Sequence, residues 1–349
     1  MKNFNGKIAF ITGGASGAGL GQAKVFAKAG MKVVITDVRL DALHNAVSEI
    51  IDYAGCKAAD ILPLCFDLTD RKAYANAADA VEKVFGGPPH LLIQTAGVNS
   101  FGPIEASTFD DFDWVMGVCL DHVVNGCIIF VPRMIRAYGG KDGVPREEFH
   151  IATTSSMGAF MGGSGCGPYS ASKAAANNLM YSYADALRTY GGGATVLCPA
   201  NINSNIGNAE KFRPEHLKNT GYHVSEGTMK HLASIHATGI DPVELAEILK
   251  EAIETGRVIA LPMKDTSGWG AMLRSQNEQI EDYVLTAEER AKKAQERMAE
   301  MMRNMPPPPQ DGSGAPPPTM GWGVPEGAEA FGGARKDLDY IDPSRNPRY

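Results

Sequence analysis

The sequence predicts an α/β protein built on a doubly wound parallel sheet. Short apolar runs, among them KIAFIT at 7–12, KVVITD at 32–37 and LLIQTAG at 91–97, alternate with amphipathic stretches of helical length. Continuous apolar runs are typical of strands that are buried on both faces, and the strand–helix alternation indicates parallel crossovers. The pattern therefore predicts a parallel sheet that is covered by helices on both sides.

The predicted elements follow one another along the first 262 residues. Further strands are predicted at 62–70, 150–155 and 194–200, and a seventh, RVIALP, ends near Pro262. Between them the pattern predicts one helix that starts near residue 21 and further helices over about 40–55, 71–85, 110–138 and 169–191. Six such strands are enough for a doubly wound domain.

The composition changes after Pro262, and we predict one domain over 1–265 with an extension over 266–349. The extension should begin with a charged helix at about 271–303, which is followed by PPPPQDGSGAPPP. A proline-rich run of this kind can form neither a helix nor a central strand. The end of the chain carries Trp322, Phe331, Tyr340 and Tyr349. Two alternatives stay open: a solvated linker, or a tail that packs on its own or a neighbouring subunit.

Composition and charge exclude several functions. The 349 residues carry a net charge of -7 and no basic run, which disfavours a nucleic-acid or acidic-membrane partner. The N-terminus shows no signal-peptide pattern, and we expect no membrane helix, so the sequence predicts a cytoplasmic protein. The six cysteines lack metal-ligand spacing, and no metal site is expected.

A glycine-rich turn follows the first predicted strand and indicates a dinucleotide site. TGGASGAGLG places Gly13, Gly17 and Gly19 where the backbone must approach a pyrophosphate at the start of a helix. Asp37 ends the second predicted strand, where a carboxylate can accept hydrogen bonds from both adenosine ribose hydroxyls and repel a 2′-phosphate. The predicted cofactor is NAD. Arg39 keeps NADP open as an alternative, because an arginine there can accommodate the extra phosphate.

Two tyrosine–lysine pairs share the spacing of a known catalytic motif. Tyr53 and Lys57 fall at the end of the second predicted helix, away from the carboxyl ends of the strands. Tyr169 opens a helix instead, Lys173 follows one turn later, and Ser156 comes just after a predicted strand. Only the second pair can converge with a bound cofactor, since ligands of such sheets bind at the carboxyl ends of the strands.

These motifs together resemble the short-chain dehydrogenase/reductase family, a Rossmann-like fold, over residues 5 to about 262. The resemblance depends on TGGASGAG, Asp37, FDL, TAG, SS followed by YSASK, and PANINS. Within the family, TAGVNSFGPIE, FVPRMI and PANINSNI are similar to the bacterial Cα-dehydrogenases, which oxidise the benzylic alcohol of lignin-derived β-aryl ethers to a ketone. The resemblance implies an NAD-dependent alcohol dehydrogenase acting on a bulky aromatic alcohol.

The family resemblance also implies roles for particular residues. Tyr169 would be the base, Lys173 and the oxidised nicotinamide would favour its phenolate, and Ser156 would hydrogen-bond the substrate oxygen. The predicted cofactor-binding residues are Gly13, Ser16, Gly17, Ala18, Gly19, Asp37, Asp67, Leu68, Ala96, Gly97, Tyr169, Lys173, Pro199 and Ile202. An apolar substrate wall is predicted from Phe101, Phe160, Met161 and Tyr222.

Two positions depart from the family pattern. Gln94 stands where the family has asparagine before TAG, and Cys119 replaces the asparagine that supports a proton relay from the catalytic lysine. A thiol is a weak donor and acceptor, so the relay should be weaker or rerouted. Three hypotheses follow: the aromatic alcohol dehydrogenase, the same chemistry on a hydroxysteroid or other alicyclic alcohol, and a cofactor-binding protein with low turnover and an interaction tail.

The resemblance further implies a homodimer or homotetramer. Family members commonly assemble through the helices after strands four and five. The apolar residues Ile128, Ile129, Met180 and Tyr183 on those predicted helices fit such an interface. Packing of the same residues against their own sheet is the alternative.

Overall fold

The computed structural model describes residues 1–222, 224–262 and 287–304. The chain divides into two compact units, Met1–Gln276 and Asn277–Tyr349. The predicted domain boundary at 265 and residues 271–286 of the predicted helix lie outside the described residues, as do the four tail aromatics. The described part of the second unit is a helix, Ala287–Asn304, whose Met298 and Met302 are exposed.

Seven parallel strands form the sheet of the first unit, as the apolar runs predict. They are β1 (Ile8–Thr12), β2 (Lys32–Asp37), β3 (Ile61–Cys65), β4 (Leu91–Gln94), β5 (His150–Thr154), β6 (Gly193–Leu197) and β7 (Ile259–Ala260). Their order in the sheet is β3-β2-β1-β4-β5-β6-β7. The order reverses between β1 and β4, and the crevice at such a switch point is where open α/β sheets bind their ligands.

Helices cover both faces of this sheet. They are α1 (Gly17–Lys28), α2 (Leu40–Ala54), α3 (Arg71–Phe85), α4 (Phe109–Met116), α5 (His122–Tyr138), α6 (Gly167–Arg188), α7 (Glu226–Ala237) and α8 (Pro242–Thr255). The sequence patterns did not identify α7 and α8. Helix α8 packs closely on α1 at Gly21, where a Cβ atom would lie 2.2 Å from the carbonyl oxygen of Pro242.

The predicted long helix is a continuous helical stretch from Phe109 to Tyr138 with one irregular turn. Residues Gly117–Asp121 form a π-helical turn between α4 and α5. The stretch is long and apolar enough to cross a membrane by composition, against the expectation of no such window, but 56% of its most apolar window is buried inside the protein. Its residues Val123, Phe130 and Met134 pack in the hydrophobic core, so the stretch is a core helix.

Candidate active site

The glycine turn after β1 is shaped for close approach. Gly13 has a φ angle of 65°, and a Cβ atom there would lie 2.9 Å from the Cα atom of Ala96. A Cβ atom on Gly19 would lie 2.2 Å from the carbonyl oxygen of Gly13. Helix α1 has no side-chain cap and no acidic residue in its first turn. Its first N–H groups and its dipole therefore favour an anion such as a pyrophosphate.

Asp37 lies at the carboxyl end of β2, as predicted, and is engaged by an arginine. Arg39 donates from Nε to Oδ1 and from Nη2 to Oδ2 of Asp37, both at 2.9 Å. The same Nη2 donates to the Ser16 hydroxyl at 3.0 Å, and the guanidinium lies 5.2 Å from the ring centroid of Phe212. Arg39 thus connects the Asp37 carboxylate to the glycine turn, a contact that the sequence alone does not reveal.

A buried hydroxyl joins the two strands on either side of the switch point. The Thr12 hydroxyl oxygen accepts hydrogen bonds from the backbone N–H groups of Thr95, at 2.8 Å, and Ala96, at 3.1 Å. The Thr95 hydroxyl donates to Gln22 at 2.6 Å, and the Gln22 amide donates to Thr154 at 3.0 Å. These side chains fix the ends of β1, β4 and β5 relative to α1, which holds the floor of the crevice in place.

Ser156, Tyr169 and Lys173 come together at the end of β5, as the motif spacing predicts. The Ser156 hydroxyl accepts from the Gly158 N–H at 3.0 Å and is hydrogen-bonded to the Tyr169 side chain. Lys173 is buried, and its ammonium donates to the Thr154 carbonyl at 2.9 Å. That bond holds the ammonium 5.5 Å from the centre of the Tyr169 ring.

The environment of Tyr169 does not by itself produce a phenolate. Burial raises the pKa of the Tyr169 hydroxyl above its usual value, and the neighbouring Cys119 raises it further. The hydrogen bond to Ser156 opposes this rise, since it favours the charged form. The expected lowering of the pKa by Lys173 is therefore not the dominant effect, and a further positive charge is needed to favour the phenolate.

Cys119 lies in the π-helical turn and is fully buried beside this group. Its thiol donates to the carbonyl oxygen of Val98 at 3.1 Å and accepts from the Val98 N–H at 3.4 Å. One small thiol thus contacts both backbone groups of the facing residue, a pairing that the sequence alone does not reveal. Both bonds are weak ones, as expected for sulfur.

Gln94 also has an explanation in the packing. With the amide oriented to suit its surroundings, Nε2 of Gln94 donates to the carbonyl oxygens of Val123, at 2.9 Å, and His122, at 3.3 Å. Its side chain occupies the space beside Gly126 in α5, where a Cβ atom would lie 2.2 Å from the end of the Gln94 amide group. Glutamine at this position braces α5 just after the irregular turn.

A single groove brings together nearly all the predicted cofactor-binding residues. Those lining it are Gly13, Ser16, Gly17, Ala18, Gly19, Asp37, Asp67, Leu68, Ala96, Gly97, Tyr169, Lys173 and Ile202. Pro199 is not part of this lining, and its carbonyl accepts from the Met157 N–H at 2.9 Å. Tyr53, the tyrosine of the rival motif, is 37% exposed at the end of α2 and lies outside the groove.

The predicted substrate wall lies elsewhere. Phe101 packs near His236 of α7, Phe160 lies against the core, and Met161 is buried. Tyr222 covers Gly102 and donates its hydroxyl proton to Asp111 at 3.2 Å. These four side chains are not among the described residues that line the groove.

Other residues form the apolar part of the lining. They are Val98, Trp114, Val118, Ile206, Ala209 and Phe212. Trp114 and Val118 are four residues apart, a spacing that would have placed both on one helical face. Ile206, Ala209 and Phe212 belong to residues 204–222, which we name the covering segment because several of its residues line the groove.

Comparisons with known proteins agree with this geometry. A family model described as short chain dehydrogenase matches residues 7–214. A "C alpha-dehydrogenase" of Sphingobium sp. strain SYK-6 is 51% identical over 262 residues, which cover 75% of this chain and 82% of that protein.

Solved structures give the same result. The apo form of LigD from Sphingobium sp. strain SYK-6 has a TM-score of 0.64 at 42% identity, covering 81% of this chain and 99% of that chain. A short chain dehydrogenase/reductase from Burkholderia phymatum, in complex with NAD, has a TM-score of 0.72 at 31% identity and covers 80% and 96%. The fold, the groove and these relatives together show that the chain belongs to the short-chain dehydrogenase/reductase family and is an oxidoreductase.

Proposed function

We propose that the protein is an NAD-dependent dehydrogenase that oxidises a secondary benzylic alcohol of a bulky aromatic substrate to a ketone. The observation that carries the proposal is the convergence of Tyr169 and Lys173 on the same groove as Asp37 and the glycine turn. The similarity to a protein named C alpha-dehydrogenase supports the alcohol class. The short-chain family likeness alone would not select a substrate.

The groove fits NAD on its own features. The glycines let the turn after β1 pack tightly against neighbouring backbone, and the start of α1 has neither a side-chain cap nor an acidic residue, which suits a pyrophosphate. The buried Asp37 carboxylate stands where an adenosine ribose would reach it. A structural relative was solved with NAD. When bound, NAD supplies the hydride acceptor, and its positive nicotinamide favours the Tyr169 phenolate against the effect of burial.

The side chains of this chain supply the proton transfer and the orientation. Tyr169 takes the hydroxyl proton of the alcohol, and Ser156 hydrogen-bonds the same oxygen. Lys173, held by the Thr154 carbonyl, supplies the fixed positive charge beside the tyrosine. Trp114 and Val118 give the alcohol an apolar, aromatic surface to lie against.

NADH absorbance tests the proposal directly. Purified protein is mixed with NAD and, in parallel, with an aryl-glycerol ether of the lignin type or a hydroxysteroid. Turnover of the ether that is abolished in Tyr169→Phe and unchanged in Tyr53→Phe supports the proposal. Turnover of the steroid alone would be consistent with the proposed mechanism but would refute the proposed aromatic substrate. If neither alcohol is oxidised although NADH binds, the result would favour the low-turnover alternative.

We also propose a homo-oligomer, with a narrower interface than the sequence predicts. Ile128 on α5 is 65% exposed, whereas Met180 on α6 is fully buried in the core. Met180 is therefore excluded from any interface, because it packs against its own sheet. Light scattering of wild type and Ile128→Glu tests the remaining face: a shift of the variant to a smaller species is expected, and an unchanged mass would refute this interface.

A further inference from the structure

Two neighbouring side chains of the covering segment contact different parts of the site. Phe212 reaches the guanidinium of Arg39 on the cofactor side of the groove. Arg213 is not among the lining residues and reaches Asp111 in the first turn of α4, where its Nη2 donates to Oδ1 at 2.7 Å. Two consecutive residues thus link the segment to both sides of the site.

Arg213 is held by several buried contacts. The side chains of Arg213 and Asp111 are both 0% exposed. Arg213 also donates from Nε to the Leu217 carbonyl at 2.6 Å and lies 4.9 Å from the ring centroid of Trp114, which lines the groove. Asp111 in turn accepts from the Thr108 N–H at 2.8 Å. An ion pair buried this completely is costly to break by removing one partner.

Phe212, the residue before Arg213, lies at the other end of the groove. It is 49% exposed and lines the groove together with Asp37 and Arg39. An aromatic ring against a guanidinium is a directional contact, so the ring adds to the hydrogen bonds with Asp37 and Ser16 that hold Arg39. The next residue in the chain, Arg213, fixes where that ring lies.

We propose that Arg213 is a positioning residue: its buried pair with Asp111 locks the covering segment across the groove, so that Phe212 holds Arg39 over the adenosine end of the bound dinucleotide. The proposal deepens the proposed function and depends on it only for the identity of the dinucleotide. Locking this segment also fixes Trp114 on the substrate side. Loss of the pair should loosen the binding of both ligands while the reacting groups stay in place.

The test compares Arg213→Met with Lys218→Met. Lys218 pairs with Glu215 at 2.6 Å in the same segment, but both side chains are exposed, so its loss should change little. The readouts are the Kd for NADH by fluorescence titration, and the rate of tryptic cleavage after Lys211, a site that both variants keep. Neither readout needs an alcohol substrate, so they remain valid if the proposed function fails.

We expect Arg213→Met to raise the Kd for NADH about tenfold and to accelerate cleavage after Lys211 at least tenfold, as a broken buried pair implies. Arg213→Lys should recover part of the NADH affinity and of the resistance to cleavage, because an ammonium can pair with Asp111 but cannot also keep every contact of the guanidinium. Where an alcohol is turned over, its KM should rise about tenfold with kcat within about threefold. If the Kd for NADH and the cleavage rate of Arg213→Met lie within twofold of those of Lys218→Met, the proposal is overturned.

Phe212→Ala keeps the proposal testable if Arg213→Met does not fold. Its side chain is half exposed and outside the core, so the fold should tolerate the change. We expect the Kd for NADH to rise about fivefold, in line with a lost cation–π contact and lost cover over the groove. Val84→Ala, an equally exposed apolar residue on α3, is the control. An unchanged Kd in Phe212→Ala would refute the role of this ring.

Discussion

The Asp37–Arg39 pair makes a quantitative prediction about cofactor choice. Asp37→Ser removes a carboxylate that can accept two charge-assisted hydrogen bonds from the adenosine ribose, and each such bond contributes about 1.5–3 kcal/mol. Because the serine hydroxyl and water replace part of this hydrogen bonding, we expect a net loss of about 2–3 kcal/mol in the free energy of NADH binding. That loss corresponds to a rise of roughly 30- to 150-fold in the Kd for NADH.

The same substitution should improve the binding of NADPH. It removes the repulsion between the carboxylate and a 2′-phosphate, and it frees the two Arg39 nitrogens that now contact Asp37 at 2.9 Å. A guanidinium with two free donors can bind a phosphate bidentately, so we expect the Kd for NADPH to fall at least tenfold.

Fluorescence titration of NADH and NADPH into wild type, Asp37→Ser and Asp37→Ser/Arg39→Ala measures both effects. Asp41→Ser, which removes an exposed carboxylate from the first turn of α2, is the control. The double variant should lose the gain in affinity for NADPH. An unchanged Kd for NADH in Asp37→Ser would show that Asp37 does not bind the ribose, and a gain for NADPH that survives in the double variant would refute the role of Arg39.

Three further predictions concern single residues. Tyr169→Phe should lower kcat at least about a thousandfold while NADH still binds, because only the proposed base is lost; stopped-flow traces that retain more than a tenth of the wild-type rate would contradict it. Cys119→Asn should change kcat by less than about threefold, since the thiol already binds both Val98 backbone groups, whereas Cys119→Ala should lower the thermal midpoint. Burial lowers the pKa of His150 to about 3, and its Nε2 contacts Thr195 Oγ1 at 2.9 Å. The folded state therefore resists protonation, and this contribution to stability is present above about pH 6.5 and is lost as the pH falls towards 3. Urea titrations should show a slope about 1.4 kcal/mol per pH unit steeper for wild type than for His150→Asn over that window, and equal slopes would count against burial as the cause.

The grouping of the predicted cofactor-binding residues in one groove could be predicted, because the sequence signals for it are local. The glycine turn and Asp37 each lie at the end of a strand that the apolar pattern identifies, and parallel strands bring their carboxyl ends to one edge. The same reasoning distinguished Tyr169 from Tyr53, which is exposed at the end of α2. Positions at strand ends follow from the order of the elements, without knowledge of side-chain packing.

The contacts of the covering segment could not be predicted, because they join distant parts of the chain. Arg213 and Asp111 are 102 residues apart, and Phe212 meets Arg39 across a still longer separation. Met180 illustrates the same limit on a helix: its apolar character fits an interface or the core equally well, and only packing shows that it is in the core. Hydrophobic patterns identify an apolar face but not its partner.

The two departures from the family pattern are related through one irregular turn. The π-helical turn at Gly117–Asp121 places the Cys119 thiol against the backbone of Val98, just after β4. Gln94, the last residue of β4, braces the first carbonyls of α5 beyond the same turn. Strand β4 and the residues that follow it therefore contact the chain both within this turn and just after it. Both contacts end on backbone groups, so substitution at either position changes the strength of a bond but leaves the path of the chain near Lys173 intact. For this reason we expect the thiol to adjust the rate of proton transfer and not to abolish it.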